Sequence, residues 1–217
     1  MTSQRRLARA VLDEAGRTLA QEAGVRLADR PAPLWQLLML TNLLSARISA
    51  RIAVAAEREL TAAGGTTPSG MCDLTWQQRV DALGRAHYVR YDESTATRLG
   101  ECARMVLDDY RGDLRRLPSV GRHDARGLRR DVQRFPGIGP TGADIFCREA
   151  QAVWDWLRPY ADRLVIKGAE RVGLPADAGK LADLVEPAET ASLAAGLVRV
   201  ARDDELAKRV GSLATTG

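Results

Sequence analysis

Leu128-Arg129-Arg130-Asp131-Val132-Gln133-Arg134-Phe135-Pro136-Gly137-Ile138-Gly139-Pro140-Thr141-Gly142-Ala143-Asp144-Ile145-Phe146 is the stretch on which the rest of the chain is read. Two helical segments flank Phe135-Pro136-Gly137-Ile138-Gly139. Only glycine closes such a turn tightly while bringing backbone N–H groups to the surface. Pro140 suits a first helical turn, where its absent N–H costs nothing. Amides at the start of the helix 140–150, together with the positive end of its dipole, make a site where a phosphate docks without a charged side chain. Ile138 is expected to pack inward between the helices. Taken alone, the P-G-x-G turn fits two readings equally: a phosphate grip, or an ordinary helical corner with no ligand.

On either side of this stretch, apolar residues recur at helical spacing, as in Leu7, Val11, Leu12, Ala15 and Leu19 and in Leu99, Cys102, Ala103, Val106 and Leu107. Period-two alternation is nearly absent, so the expected class is all-α. Helices are expected over 4–23, 34–46, 48–63, 76–85, 93–110, 124–134, 140–150, 162–172 and 188–214, the last broken near Gly196 and Ala201. Ala63 to Pro68, Pro118 to Gly121, and Gly173 with Pro175 supply the punctuation. No internal repeat or low-complexity tract is visible.

The 217 residues suffice for one large domain or two small lobes whose core needs no disulfide or metal. Cys72, Cys102 and Cys147 are far apart and form no C-x-x-C pair, which argues against a disulfide framework or thiolate metal cluster and fits a reducing cytoplasm. His87 and His123 have no partners at metal spacing, so no metal ligand is assigned. The most apolar stretch, Leu34 to Leu44, is interrupted by Gln36, Thr41 and Asn42 and is too short to span a bilayer. Met1 to Ala10 is basic without a signal-peptide core. A soluble, unprocessed, monomeric protein is expected. The net charge of +4 is unevenly spread: Arg111 to Arg134 holds eight arginines against Asp113, Asp124 and Asp131, a local +5 that leaves −1 elsewhere. Such a cluster is commonly no more than a solvated surface, but beside a phosphate-binding turn it points to a polyanionic partner.

The wider pattern Leu128-x6-Phe135-Pro136-Gly137-Ile138-Gly139-x3-Ala143 resembles the helix-hairpin-helix of the endonuclease III superfamily of DNA glycosylases. Leu37-Leu38-x-Leu40-x2-Leu43-Leu44-Ser45-Ala46 is similar to the helix that in this family ends in a leucine-serine-alanine-glutamine run. Tyr88-x-Arg90 resembles its tyrosine-arginine step, and Asp162 to Leu174 the segment that begins with its essential aspartate. The resemblance covers roughly residues 34 to 174. It implies a two-lobed fold: a six-helix barrel lobe at 30–150 carrying the hairpin (about 127–150), and a second helical lobe from 1–29 plus 151–217. The cleft between them holds the base in this family. The partner implied is duplex DNA carrying a damaged base, which such enzymes extrude into a pocket; the location implied is the bacterial nucleoid.

Departures from the family narrow the chemistry. Bifunctional members carry a lysine two residues after the second hairpin glycine, where its amine forms a Schiff base with the sugar. Thr141 stands there, and a hydroxyl forms no imine, so the resemblance implies hydrolysis without strand cleavage. No cysteine follows Cys147, so the family's iron–sulfur cluster is not expected, nor any other cofactor, a monovalent cation at the hairpin aside. Asp162 is the implied catalytic carboxylate, a residue that equally serves as a helix cap. The expected DNA-contacting set is Pro136, Gly137, Ile138, Gly139, Thr141, Gly142, Arg134 and Arg47, the last at the position of the glutamine that fills the gap left by a flipped nucleotide, where an arginine fits a solvent-facing helix end equally well. Trp154, Trp156, Tyr160 and Thr141 are candidates for the base pocket, although aromatics in such a stretch are more often core filling. The leading expectation is base-excision repair by a monofunctional DNA glycosylase, with an alkylated purine as favoured substrate. The alternative is a non-catalytic helix-hairpin-helix DNA-binding or damage-sensing protein.

Overall fold

The computed structural model describes residues 2–215, and every regular element among them is helical. In chain order the first helices are α1 (Ser3–Ala15), α2 (Leu19–Ala23), α3 (Pro31–Leu44), α4 (Ala50–Ala62) and α5 (Pro68–Asp73). Next come α6 (Trp76–Arg85), α7 (Asp92–Tyr110), α8 (Pro118–Gly121), α9 (Ala125–Val132) and α10 (Pro140–Ala150). The chain ends with α11 (Arg163–Arg171), α12 (Ala178–Ala182), α13 (Thr190–Val200) and α14 (Asp204–Thr215). Two compact units emerge, one from residues 20–147 and one from 1–19 plus 148–217.

The first unit is organised on α3. This helix is apolar around its whole circumference, and Leu34, Trp35, Leu37, Leu38, Met39, Leu40 and Leu43 are all buried. A helix without a polar face is stable only at the centre of a core, and α4 and α7 pack against it. The Trp35 indole N–H donates to the Gly65 carbonyl at 2.9 Å, satisfying its one polar atom inside the core. Helix starts follow local chemistry: Ser49 caps α4, Thr75 and Gln78 form a capping box on α6, and Asp124 caps α9.

In the other unit, α13 packs on both α1 and α11, around Val11, Val165, Ala169, Leu193, Leu197 and Val200. Two glycines permit this. A Cβ on Gly168 would fall on the backbone carbonyl of Leu197, and one on Gly196 would lie 2.6 Å from Val11 Cγ1. Helix backbones approach this closely only over glycine. Of the two breaks expected in the last helix, the one near Ala201 is present, at Ala201 to Asp203, whereas α13 runs unbroken through Gly196.

The expected helix 4–23 is also corrected, since the chain breaks between Ala15 and Leu19. Side chains from elsewhere take over the hydrogen bonds that continuation needs. Arg199 donates to the carbonyls of Ala15 and Arg17, and the Leu19 amide donates to Glu149 Oε1 at 3.2 Å. Most other boundaries agree to within three residues, and 76–85 and 140–150 coincide with α6 and α10. The short α5, α8 and α12 were not anticipated.

Candidate nucleic-acid interface

The turn joining α9 to α10 is built locally. Gly137 has φ +85, a left-handed conformation that side chains adopt only under strain, and the Ile138 amide closes the turn on the Phe135 carbonyl at 3.1 Å. Phe135 and Ile138 are buried and anchor the turn from beneath, while Gly137, Gly139, Pro140 and Thr141 are exposed. The Ala143 amide reaches back to Gly139 O at 3.0 Å. The amides of Gly139, Thr141 and Gly142 donate to no acceptor among the described residues. Space beside Gly139 is open, with no atom within 4 Å of where its Cβ would lie. The turn thus presents unpaired donors at the start of an 11-residue helix, an arrangement suited to an oxyanion.

Several residues hold this turn in place, and not all were foreseen. Asn42, buried on α3, donates from Nδ2 to the Pro136 carbonyl at 2.6 Å, and the Cys102 thiol lies 3.5 Å from the same oxygen. The interruption of an apolar helix by Asn42 was the visible signal that this side chain has a polar task. Gly142 is buried; a Cβ there would collide with Ser45 Oγ, so its glycine character serves packing of α10 against the end of α3. Tyr88 is buried too, its hydroxyl donating to Leu43 O at 3.1 Å. Arg129 on α9 pairs with Asp144 on α10 at 2.6 Å, tying the two hairpin helices together.

The basic cluster is less available than its sequence promises. Besides Arg129, Arg115 pairs with Asp113 at 2.7 Å and Arg130 lies 3.6 Å from Asp124. Arg134 is exposed, with Nη1 donating to the Tyr110 hydroxyl at 3.3 Å. Arg47 is exposed in the bend between α3 and α4 and makes no hydrogen bond or ion pair among the described residues.

In the other unit, Asp162 is the N-cap of α11, its Oδ1 accepting from Leu164 N at 2.8 Å and Val165 N at 3.2 Å. Its Oδ2 accepts from Arg148 Nη1, and the two side chains are only 5% and 4% exposed. Arg148 was not foreseen as its partner. The signal lay in Arg148, Glu149 and Gln151, three polar residues in a segment otherwise apolar enough to be core, and all three are buried. Gln151 steers the chain toward Asp162 by donating to Tyr160 O at 3.0 Å and accepting from Tyr160 N at 2.9 Å. Trp154 is buried and stacked on Trp156, with ring centroids 5.6 Å apart. Trp156 and Tyr160 are half-buried.

Among the described residues no cluster of three or more His, Cys, Asp or Glu forms a metal-binding set, and no helix is long and apolar enough to cross a membrane. No protein-family model and no curated protein matches the sequence. Among solved structures, a non-covalent endonuclease III–DNA complex matches with a TM-score of 0.50 at 16% identity, over 91% of this chain and 85% of its own. A trapped endonuclease III–DNA covalent intermediate, the estranged-adenine complex, matches with a TM-score of 0.48 at 18% identity and the same coverage. The chain has the all-α endonuclease III fold.

Proposed function

We propose that this protein binds the backbone of duplex DNA through the Phe135–Gly139 turn and removes a damaged or mismatched base by hydrolysis, an alkylated purine being the favoured substrate. The observation that carries the proposal is the set of unpaired amides at Gly139, Thr141 and Gly142 beside open space at Gly139. A phosphodiester oxygen fits such donors, and the helix dipole adds to the attraction. The shared fold supports this reading, since the endonuclease III of the non-covalent complex is bound to DNA. Trp156 and Tyr160, half-buried, are the aromatics proposed to receive an extruded base; Trp154, buried, stacks on Trp156.

Asp162 is proposed as the carboxylate that stabilises the developing oxocarbenium sugar and orients water. Thr141, exposed at the lysine position, offers no amine for an imine, so excision leaves an abasic site and an intact strand. The test is incubation with duplexes bearing a panel of lesions, with alkali to reveal abasic sites and borohydride to trap an imine. Alkali-dependent breaks at one lesion class, with no trapped adduct, are expected. A trapped adduct, or failure to bind any duplex, would overturn the proposal.

One observation favours a second reading. Arg148 occupies Asp162 Oδ2 inside a buried ion pair, which leaves the carboxylate less negative charge to offer a cationic transition state. A DNA-binding protein without excision activity fits that pairing. Tight duplex binding with no abasic site across the whole panel would establish it.

A further inference from the structure

A cation stands at the hairpin that is remote from it in sequence. Arg98 lies on α7, and its side chain lies along the Gly137 turn: a Cβ on Gly137 would be 2.8 Å from Arg98 Cδ and 3.2 Å from its Nη1. The guanidinium is oriented from within its own helix, Nε donating to Ser94 O at 3.0 Å and Nη2 to Ser94 Oγ at 2.8 Å. Nη1 is left without a hydrogen bond, and Arg98 has no ion pair, among the described residues. Arg115, Arg129 and Arg130, from the cluster beside the hairpin, have carboxylate partners instead.

We propose that Arg98 is a phosphate-binding residue of the hairpin, its Nη1 sharing with the turn amides one phosphodiester of duplex DNA. The assignment rests on the DNA-binding reading above. A guanidinium held in one orientation loses little freedom on binding and offers its donors in a fixed plane. The absence of Cβ at Gly137 is what admits it, so the glycine serves two ends: the left-handed turn and the close seat of Arg98. A phosphate contact of this kind carries no base information, so it strengthens all sequences alike.

The test is duplex binding over a salt series by the full chain and by Arg98→Gln, Arg98→Lys and Arg115→Gln. Arg98→Gln is expected to bind undamaged duplex roughly tenfold more weakly, with a salt slope reduced by about one ion, and to keep the parental Tm because its bonds lie within α7. Arg98→Lys keeps the charge and the parental slope, with affinity between the two. Arg115→Gln, which removes the same formal charge from an already paired arginine, changes affinity less than Arg98→Gln. Parental affinity and slope in Arg98→Gln, or an equal loss in Arg115→Gln, overturns the role of Arg98 while leaving the DNA-binding reading standing. If the parent binds RNA duplex and not DNA, or neither, the DNA-binding reading falls and takes the assignment with it.

Discussion

The carboxylate of Asp162 is shared between the first amides of α11 and the guanidinium of Arg148, and both side chains of the pair are almost wholly buried. Its capping role and its proposed chemical role therefore rest on the same oxygens, so a rate measured alone on an Asp162 variant is ambiguous. Asn caps a helix nearly as well as Asp, but it leaves the Arg148 charge buried without a counter-ion. Asp162→Asn is expected to lose about 3–5 kcal/mol of stability, the scale of a broken buried pair. Arg148→Gln with Asp162→Asn should regain a large part of that, and urea unfolding of the parent and the two variants measures it. If Asp162 acts chemically, excision stays about two to four orders of magnitude down in the refolded double variant. Recovery of rate along with stability would assign Asp162 to structure alone.

The hairpin glycines are expected to separate. Gly139 faces open space and Gly137 has φ +85 under Arg98. Gly139→Val should keep the parental helicity and Tm while weakening duplex binding, because its side chain fills the approach to the free amides. Gly137→Val should lose both, with strain on the order of 1–3 kcal/mol. Parental affinity in Gly139→Val for an abasic-analogue duplex refutes the phosphate grip.

Gly168→Ala tests the packing of α11 on α13, because the new methyl meets the Leu197 backbone rather than a movable side chain. Destabilisation of about 1–3 kcal/mol, or more, is expected, seen as a lower midpoint in denaturant. An unchanged midpoint would contradict the close approach.

Glu57 on α4 is 1% exposed, and its carboxyl accepts from Thr61 Oγ1 at 3.0 Å. Burial pushes its pKa up to about 7, against the opposing pull of the Thr61 hydrogen bond and of Arg58. A folded pKa above the unfolded value means that the native state binds the proton more tightly. The stability from this group is then full below the ordinary pKa of 4.5 and is lost as pH rises through about 7. Stability should fall by as much as about 3 kcal/mol across that window. Glu57→Gln should flatten the profile there; a variant with the parental pH dependence places the titration elsewhere.

The helical class, most helix boundaries and the Phe135–Gly139 turn are legible in the residue order alone, because these follow from short-range preferences. Apolar spacing sets a helix face, Ser, Thr and Asp close its first turn, and glycine alone takes φ +85 cheaply. Which distant side chains meet is settled by packing and not by local pattern. Asn42 on the Pro136 carbonyl, Arg98 against Gly137 and Arg148 against Asp162 span separations of 94, 39 and 14 residues. The same limit explains the misplaced breaks. Gly196 reads as a helix breaker until α1 is seen to need its bare Cα, and 4–23 reads as one helix until Arg199 and Glu149 claim its hydrogen bonds. Local pattern fixes what each segment prefers, whereas partners for buried polar groups are assigned by packing, which brings together residues with no regular spacing between them.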